Sequence, residues 1–209
     1  MKSLKSKVHS PKRGADPVPP GARLWTLHFR LWTLIFFFIS WTVAQADDSV
    51  SKEYQIKAAY LYNFAKFVEW PAQSFTNARS PLVIGILGKA PIGQELQAIA
   101  RDHNINGRNI VIKAVADAAE AGQVQLLFFG NDANSRVVEM LAALKGGAVL
   151  TVGESDKFIA AGGLINFVRE ADKVRFEINA AAAEHAGLKI SAQLLKLAKP
   201  VHTPPDPKP

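Results

Sequence analysis

Apolar positions along this chain change their spacing in a regular way. Over Ser51–Trp70, Tyr54, Ala58, Leu61, Ala65 and Val68 recur at intervals of three and four, with Tyr60, Phe64 and Phe67 beside them. That spacing predicts an amphipathic helix. Pro71 ends it, because the residue before a proline is pushed away from helical angles. Aromatics at helical spacing bury large apolar areas, so they read as core rather than as a ligand box. The next run, Leu82–Leu87, is apolar without interruption, as in a strand covered on both faces. A helix is then predicted over Gly93–Arg101 and a strand over Ile110–Ile112 with Val115, entered through the turn pair Asn106-Gly107. The pattern continues with a strand over Val124–Phe129, a helix over Ala133–Leu144 closed by Gly146-Gly147, and a strand over Val149–Val152. Such alternation implies parallel pairing with right-handed crossovers.

The last part differs. Leu164–Val168 and Val174–Ile178 are separated only by a short charged stretch around Glu170-Ala171-Asp172, which predicts a hairpin. Its second strand alternates Val174, Phe176 and Ile178 with Arg175 and Glu177, the pattern of a strand wetted on one face. Asn179 is placed to cap a helix over Ala180–Ala186, and a further amphipathic helix is predicted over Leu188–Leu197. The expected fold is a single-domain α/β three-layer sandwich over 47–199, with a mostly parallel sheet and a C-terminal antiparallel hairpin. Residues 200–209 hold five prolines and read as a disordered tail.

Residues 1–46 alter the reading of composition. A basic stretch, the apolar run Leu31–Ile39 and the small residues Ala44-Gln45-Ala46 form a secretory signal with its A-x-A cleavage site. The run meets Ser40 and Thr42 too soon for a spanning helix of about 20 apolar residues, so no membrane insertion is expected after cleavage. The whole chain of 209 residues carries a net charge of +7. Seven of its 25 basic and one of its 18 acidic residues precede Asp47, leaving 18 against 17 and a net charge of +1. A nearly neutral domain lacks the clustered cations of nucleic-acid binding. With no cysteine in the chain, an exported protein has neither disulfides nor thiol chemistry.

Candidate chemistry is sparse. Ligands of α/β sheets bind at the carboxyl ends of parallel strands, where the loops begin with Gly88-Lys89, Gly130-Asn131-Asp132 and Gly153-Glu154-Ser155-Asp156. Lys89, Asn131 and Ser155 therefore mark a possible small-ligand crevice. The competing reading is that the glycines make tight turns and the polar residues cap the following helices. Gly85–Gly93 lacks the spacing and the Ser or Thr of a phosphate-binding Walker motif. His103, His185 and His202 are isolated, so no metal site or cofactor is predicted. No G-x-S-x-G elbow occurs, and the chain does not read as an enzyme.

Two stretches carry a resemblance: YQIKAAYLYNFAKFVEWP (Tyr54–Pro71) and GGLINFVREADKVRFEINAAAAEHAGLKISAQLLKLA (Gly162–Ala198). Together they resemble the YfiR-like family. The resemblance implies a periplasmic regulator, often a homodimer, that binds and inhibits the periplasmic sensor domain of an inner-membrane diguanylate cyclase. Its release would raise cyclic di-GMP and favour biofilm formation. The resemblance also implies a partner surface at Ile165, Phe167 and Glu177. Relatives carry paired cysteines that this chain lacks, so disulfide-based control does not transfer. The partner expected is the periplasmic domain of a membrane diguanylate cyclase or of a sensor kinase; the alternative function, a periplasmic small-ligand sensor, would use Lys89, Asn131 and Ser155.

Overall fold

The computed structural model describes residues 49–201. The export signal predicted over 1–46 and the tail from His202 onward lie outside the described residues. A helix over 49–67 (α1) leads into the two-residue strand β1 (Val68–Glu69). There follow β2 (Leu82–Leu87), α2 (Ile92–Asp102), β3 (Asn104–Ile105), β4 (Arg108–Val115), α3 (Ala118–Ala121), β5 (Leu126–Phe129), α4 (Val137–Ala143) and β6 (Leu150–Gly153). The chain continues through β7 (Ile165–Glu170), β8 (Lys173–Ile178), α5 (Ala180–His185), β9 (Lys189–Ile190) and α6 (Ala192–Leu197).

Among the described residues, seven strands form one sheet in the order β3-β4-β2-β5-β6-β7-β8. The five central strands run parallel, and an antiparallel strand closes each edge, β3 beside β4 and β8 beside β7. This is the mixed α/β fold with the C-terminal hairpin that the pattern predicts. Counted in chain order, the parallel strands lie 2-1-3-4-5, a doubly wound arrangement whose direction of winding reverses between β2 and β5.

Each face of the sheet has its own core. On one side α1, α2, α5 and α6 bring Leu61, Phe64, Leu96, Ala183 and Leu194 against the strands. On the other, α3 and α4 pack Ala121, Val137 and Met140 with Phe158. The run Leu126–Phe129 is divided between the two, Leu126 and Phe128 facing the first core and Leu127 and Phe129 the second. Burial on both faces is why that strand is apolar at every position.

Several predicted boundaries move, for one reason. The first helix stops at Phe67 instead of Trp70, because Val68 and Glu69 pair antiparallel with Ile190 and Lys189. The helix predicted over Leu188–Leu197 is interrupted by the same pairing and restarts at Ala192, where the Ser191 hydroxyl accepts a hydrogen bond from Leu194 N at 3.2 Å. Inter-strand hydrogen bonds there replace those of a helix whose spacing was satisfactory. The helix predicted from Ala133 begins as a 3-10 segment, Asn131–Arg136, and becomes α-helical at Val137. Asn106 and Gly107 both have positive φ, 52° and 76°, and form the two-residue turn between β3 and β4.

Candidate functional site

The loops after β2, β5 and β6 meet at the carboxyl ends of their strands. Gly88 has φ of +100°, and a Cβ there would lie 2.2 Å from Asp132 Oδ1. The absence of a side chain lets the Asp132 carboxylate accept hydrogen bonds from Lys89 N, at 3.1 and 2.9 Å. Asn131 N donates to Glu154 Oε1 at 3.0 Å. Ser155 O accepts from Phe158 N at 3.0 Å and opens the turn toward Gly162. The structure thus draws Lys89 and Asn131 into one network, whose backbone N–H groups are engaged by the chain's own carboxylates.

The centre of this network is a buried charge pair that the sequence pattern did not single out. Lys57 lies on the inward face of α1 and is 5 % exposed. Its Nζ donates to Glu154 Oε2 at 2.5 Å, and Glu53 Oε1 lies 2.6 Å away. The ammonium also stands over the rings of Tyr54 and Phe167, 4.9 and 5.9 Å from their centroids. Tyr54 Oη donates to Glu154 Oε1 at 3.3 Å. Burial, and then the charge of Glu154, push the Tyr54 phenol up to about 12. Glu53 reaches outward to Arg169 on β7 at 3.2 Å. An unpaired charge left in such a place costs roughly 3–5 kcal/mol. Lys57 precedes Leu61, Phe64 and Ala65 on the helical spacing, and a lysine inside an apolar stripe was the available signal. Its partner lies 97 residues further along the chain and could not be found from spacing.

The hairpin separates the three residues assigned by resemblance to a partner surface. Ile165 and Phe167 are 0 % and 5 % exposed and belong to the α1-side core. The Phe167 ring lies 5.7 Å from Phe64 and 6.1 Å from Tyr60. Strand alternation turns Glu177 to the opposite face, across from Asn166, where it is half-buried. Lys199 forms a parallel bridge with Glu177, and Lys199 N donates to Phe176 O at 2.9 Å. Lys199 Nζ donates to Glu170 at 2.7 Å. That hydrogen bond, with the charge of Lys199, holds the Glu170 carboxyl below its usual range.

A groove of about 640 Å³ lies near the amino ends of β6 and β7, lined in part by Leu141, Leu144, Val149, Leu164, Ala182 and His185. Among the described residues no three His, Asp or Glu side chains gather as a metal would require. No helix among the described residues is long and apolar enough to cross a membrane.

The fold and the site define a doubly wound α/β domain whose strand-end loops are tied together by internal carboxylates and whose C-terminal hairpin forms one sheet edge. The chain belongs to the YfiR/HmsC-like family, whose model matches residues 54–199. The family consists of non-catalytic regulators of diguanylate cyclases. Comparison with curated proteins gave no match. Among solved structures, a conserved domain protein from Vibrio cholerae O1 biovar El Tor is 16% identical, with a TM-score of 0.44, over 57% of this chain and 54% of that one. The ABC domain in complex with L-Trp from Streptococcus pneumoniae is 15% identical, with a TM-score of 0.42 and the same coverages. The chain therefore spans about half the length of these structures, a likeness too low to bear on function.

Proposed function

We propose that this protein is exported to the periplasm and there binds and inhibits the sensor domain of an inner-membrane diguanylate cyclase, lowering cyclic di-GMP and biofilm formation. The family match over residues 54–199 carries the reading; the A-x-A signal ahead of Asp47 supports the compartment. The partner docks on the β7–β8 hairpin. Glu177 contributes from its solvent-side face, while Ile165 and Phe167 act from beneath by fixing the hairpin to α1. The working form is a homodimer.

Two experiments test this. Deleting the gene is expected to raise cellular cyclic di-GMP and surface attachment; unchanged levels of both would refute inhibition. Glu177→Arg is expected to weaken capture of the cyclase sensor domain by roughly thirtyfold, as for a central interface residue. Its thermal melt should stay close to wild type, since substitutions on a polar face usually change stability by less than about 0.5 kcal/mol. A large loss of stability would instead make Glu177 a structural residue. The small-ligand alternative at Lys89, Asn131 and Ser155 is less well supported, because the N–H of Lys89 already serves Asp132 and the Ser155 carbonyl already accepts from Phe158 N.

A further inference from the structure

We infer that Lys57 Nζ, Tyr54 Oη and Asn131 N–H form a carboxylate-binding site at the strand ends, whose occupant in the folded chain is Glu154 and which a small monocarboxylate enters in its place. The donors are of three kinds and meet one carboxyl group. Oε1 receives the phenol and the backbone N–H at 3.3 and 3.0 Å, and Oε2 receives the ammonium at 2.5 Å. An ammonium, a hydroxyl and a backbone N–H converging on one carboxylate are the groups with which proteins recognise small organic acids. The position is independently that of a ligand site, since Asn131 follows β5, one of the two strands flanking the reversal of winding.

The backbones that carry the donors are held without help from Glu154. Lys57 and Tyr54 are fixed by α1, whose inward face is core, and the Asn131 loop is closed by Ala133 N bonding Gly130 O at 2.9 Å. The site would therefore keep its shape when Glu154 is truncated, the condition for binding without an ordering penalty. Other charges face it. Glu53 remains beside Lys57 at 2.6 Å, Arg169 lies 3.2 Å from Glu53, and the charge of Asp132 acts on Tyr54. Without Glu154 these four charges cancel, so one monoanion restores the charge of the native cluster.

Glu154 immediately precedes the turn that Ser155 opens and that leads through Phe158 to Gly162 and β7. A carboxylate that displaced it would free that turn from α1. The inference concerns the site alone and does not depend on which partner the protein regulates.

The test is chemical rescue of Glu154→Ala by sodium formate, with sodium chloride at equal ionic strength as control. The variant is expected to melt below wild type and to recover with formate. A concentration about five times the dissociation constant would multiply the folding constant about sixfold, a rise of roughly 2–4 °C for a domain of this size. Wild type should also rise more in formate than in chloride, by less than the variant because formate must displace Glu154 there, and adding Lys57→Met to the variant should abolish the difference between the salts. Equal effects of formate and chloride on Glu154→Ala, or rescue that survives Lys57→Met, would overturn the proposal and leave a structural ion pair. If Glu154→Ala does not fold in chloride, refolding in formate becomes the measurement: recovery supports the site, and failure in both salts refutes it.

Discussion

Gly163 is small because Phe158 lies on it. A Cβ at Gly163 would stand 2.2 Å from the Phe158 ring and 2.8 Å from its carbonyl oxygen, and one at Gly153 would stand 2.4 Å from the same ring. Phe158 is fully buried and packs edge-on to Phe129 at 5.1 Å. The second glycine of the Gly162-Gly163 pair therefore serves packing, while the first, with φ of +98° and open space around it, serves the turn. Gly163→Ala is expected to destabilise by about 1–3 kcal/mol, the usual effect of overpacking a core. Gly122 is the control: its φ is −71° and an added Cβ would meet nothing nearer than 3.6 Å. Gly122→Ala should match or slightly exceed wild type in the same thermal melts, and equal melts for both variants would remove the packing account. The glycines were visible in the sequence, but the packing of Phe158 against Gly163, the reason for one of them, was not.

At the scale of elements, the hairpin turn holds a testable misfit. Ala171 and Asp172 have φ of 45° and 62°, the two left-handed positions of a tight hairpin connection that favours Asn and Gly. Alanine in that conformation costs on the order of 1 kcal/mol, which a fully paired hairpin sustains: six residue pairs run from Ile165↔Ile178 to Glu170↔Lys173. Ala171→Asn should raise the midpoint of denaturant unfolding by an amount equivalent to about 0.5–1 kcal/mol with an unchanged slope. No gain would mean that the strain is relieved elsewhere. The hairpin was legible because its strands alternate and its turn is charged. The pairing of β1 with β9 was not, since Val68-Glu69 and Lys189-Ile190 are too short to outweigh the helical spacing around them.

For the whole molecule, the end of the described chain is fastened to the sheet edge. Lys199 bonds to the backbone of β8 and to Glu170 at the end of β7, covering part of an edge strand that would otherwise offer open hydrogen-bonding groups. The Glu170 carboxyl is held low in the folded state, so the fastening contributes at pH values above its ordinary value of 4.5 and is lost as pH falls through the lowered one. A carboxyl NMR titration should place the Glu170 midpoint below 4.5, and Lys199→Gln should return it to the ordinary range. A midpoint unmoved by that substitution would show that Lys199 is not the cause.

Local spacing in the chain determined the α/β class, the buried parallel strands, the hairpin and the inward face of α1, because those follow from periodicities of two and 3.6 that neighbouring residues express on their own. The same holds for the absence of thiol chemistry and for the near-neutral charge beyond Ala46. Tertiary structure alone decided the order of the strands, the burial of Ile165 and Phe167 beneath the hairpin and the meeting of Lys57 with Glu154. These depend on contacts between residues distant in the chain, 97 positions apart for Lys57 and Glu154. A buried charge is stable only with such a partner, and no local pattern specifies which one the fold will supply.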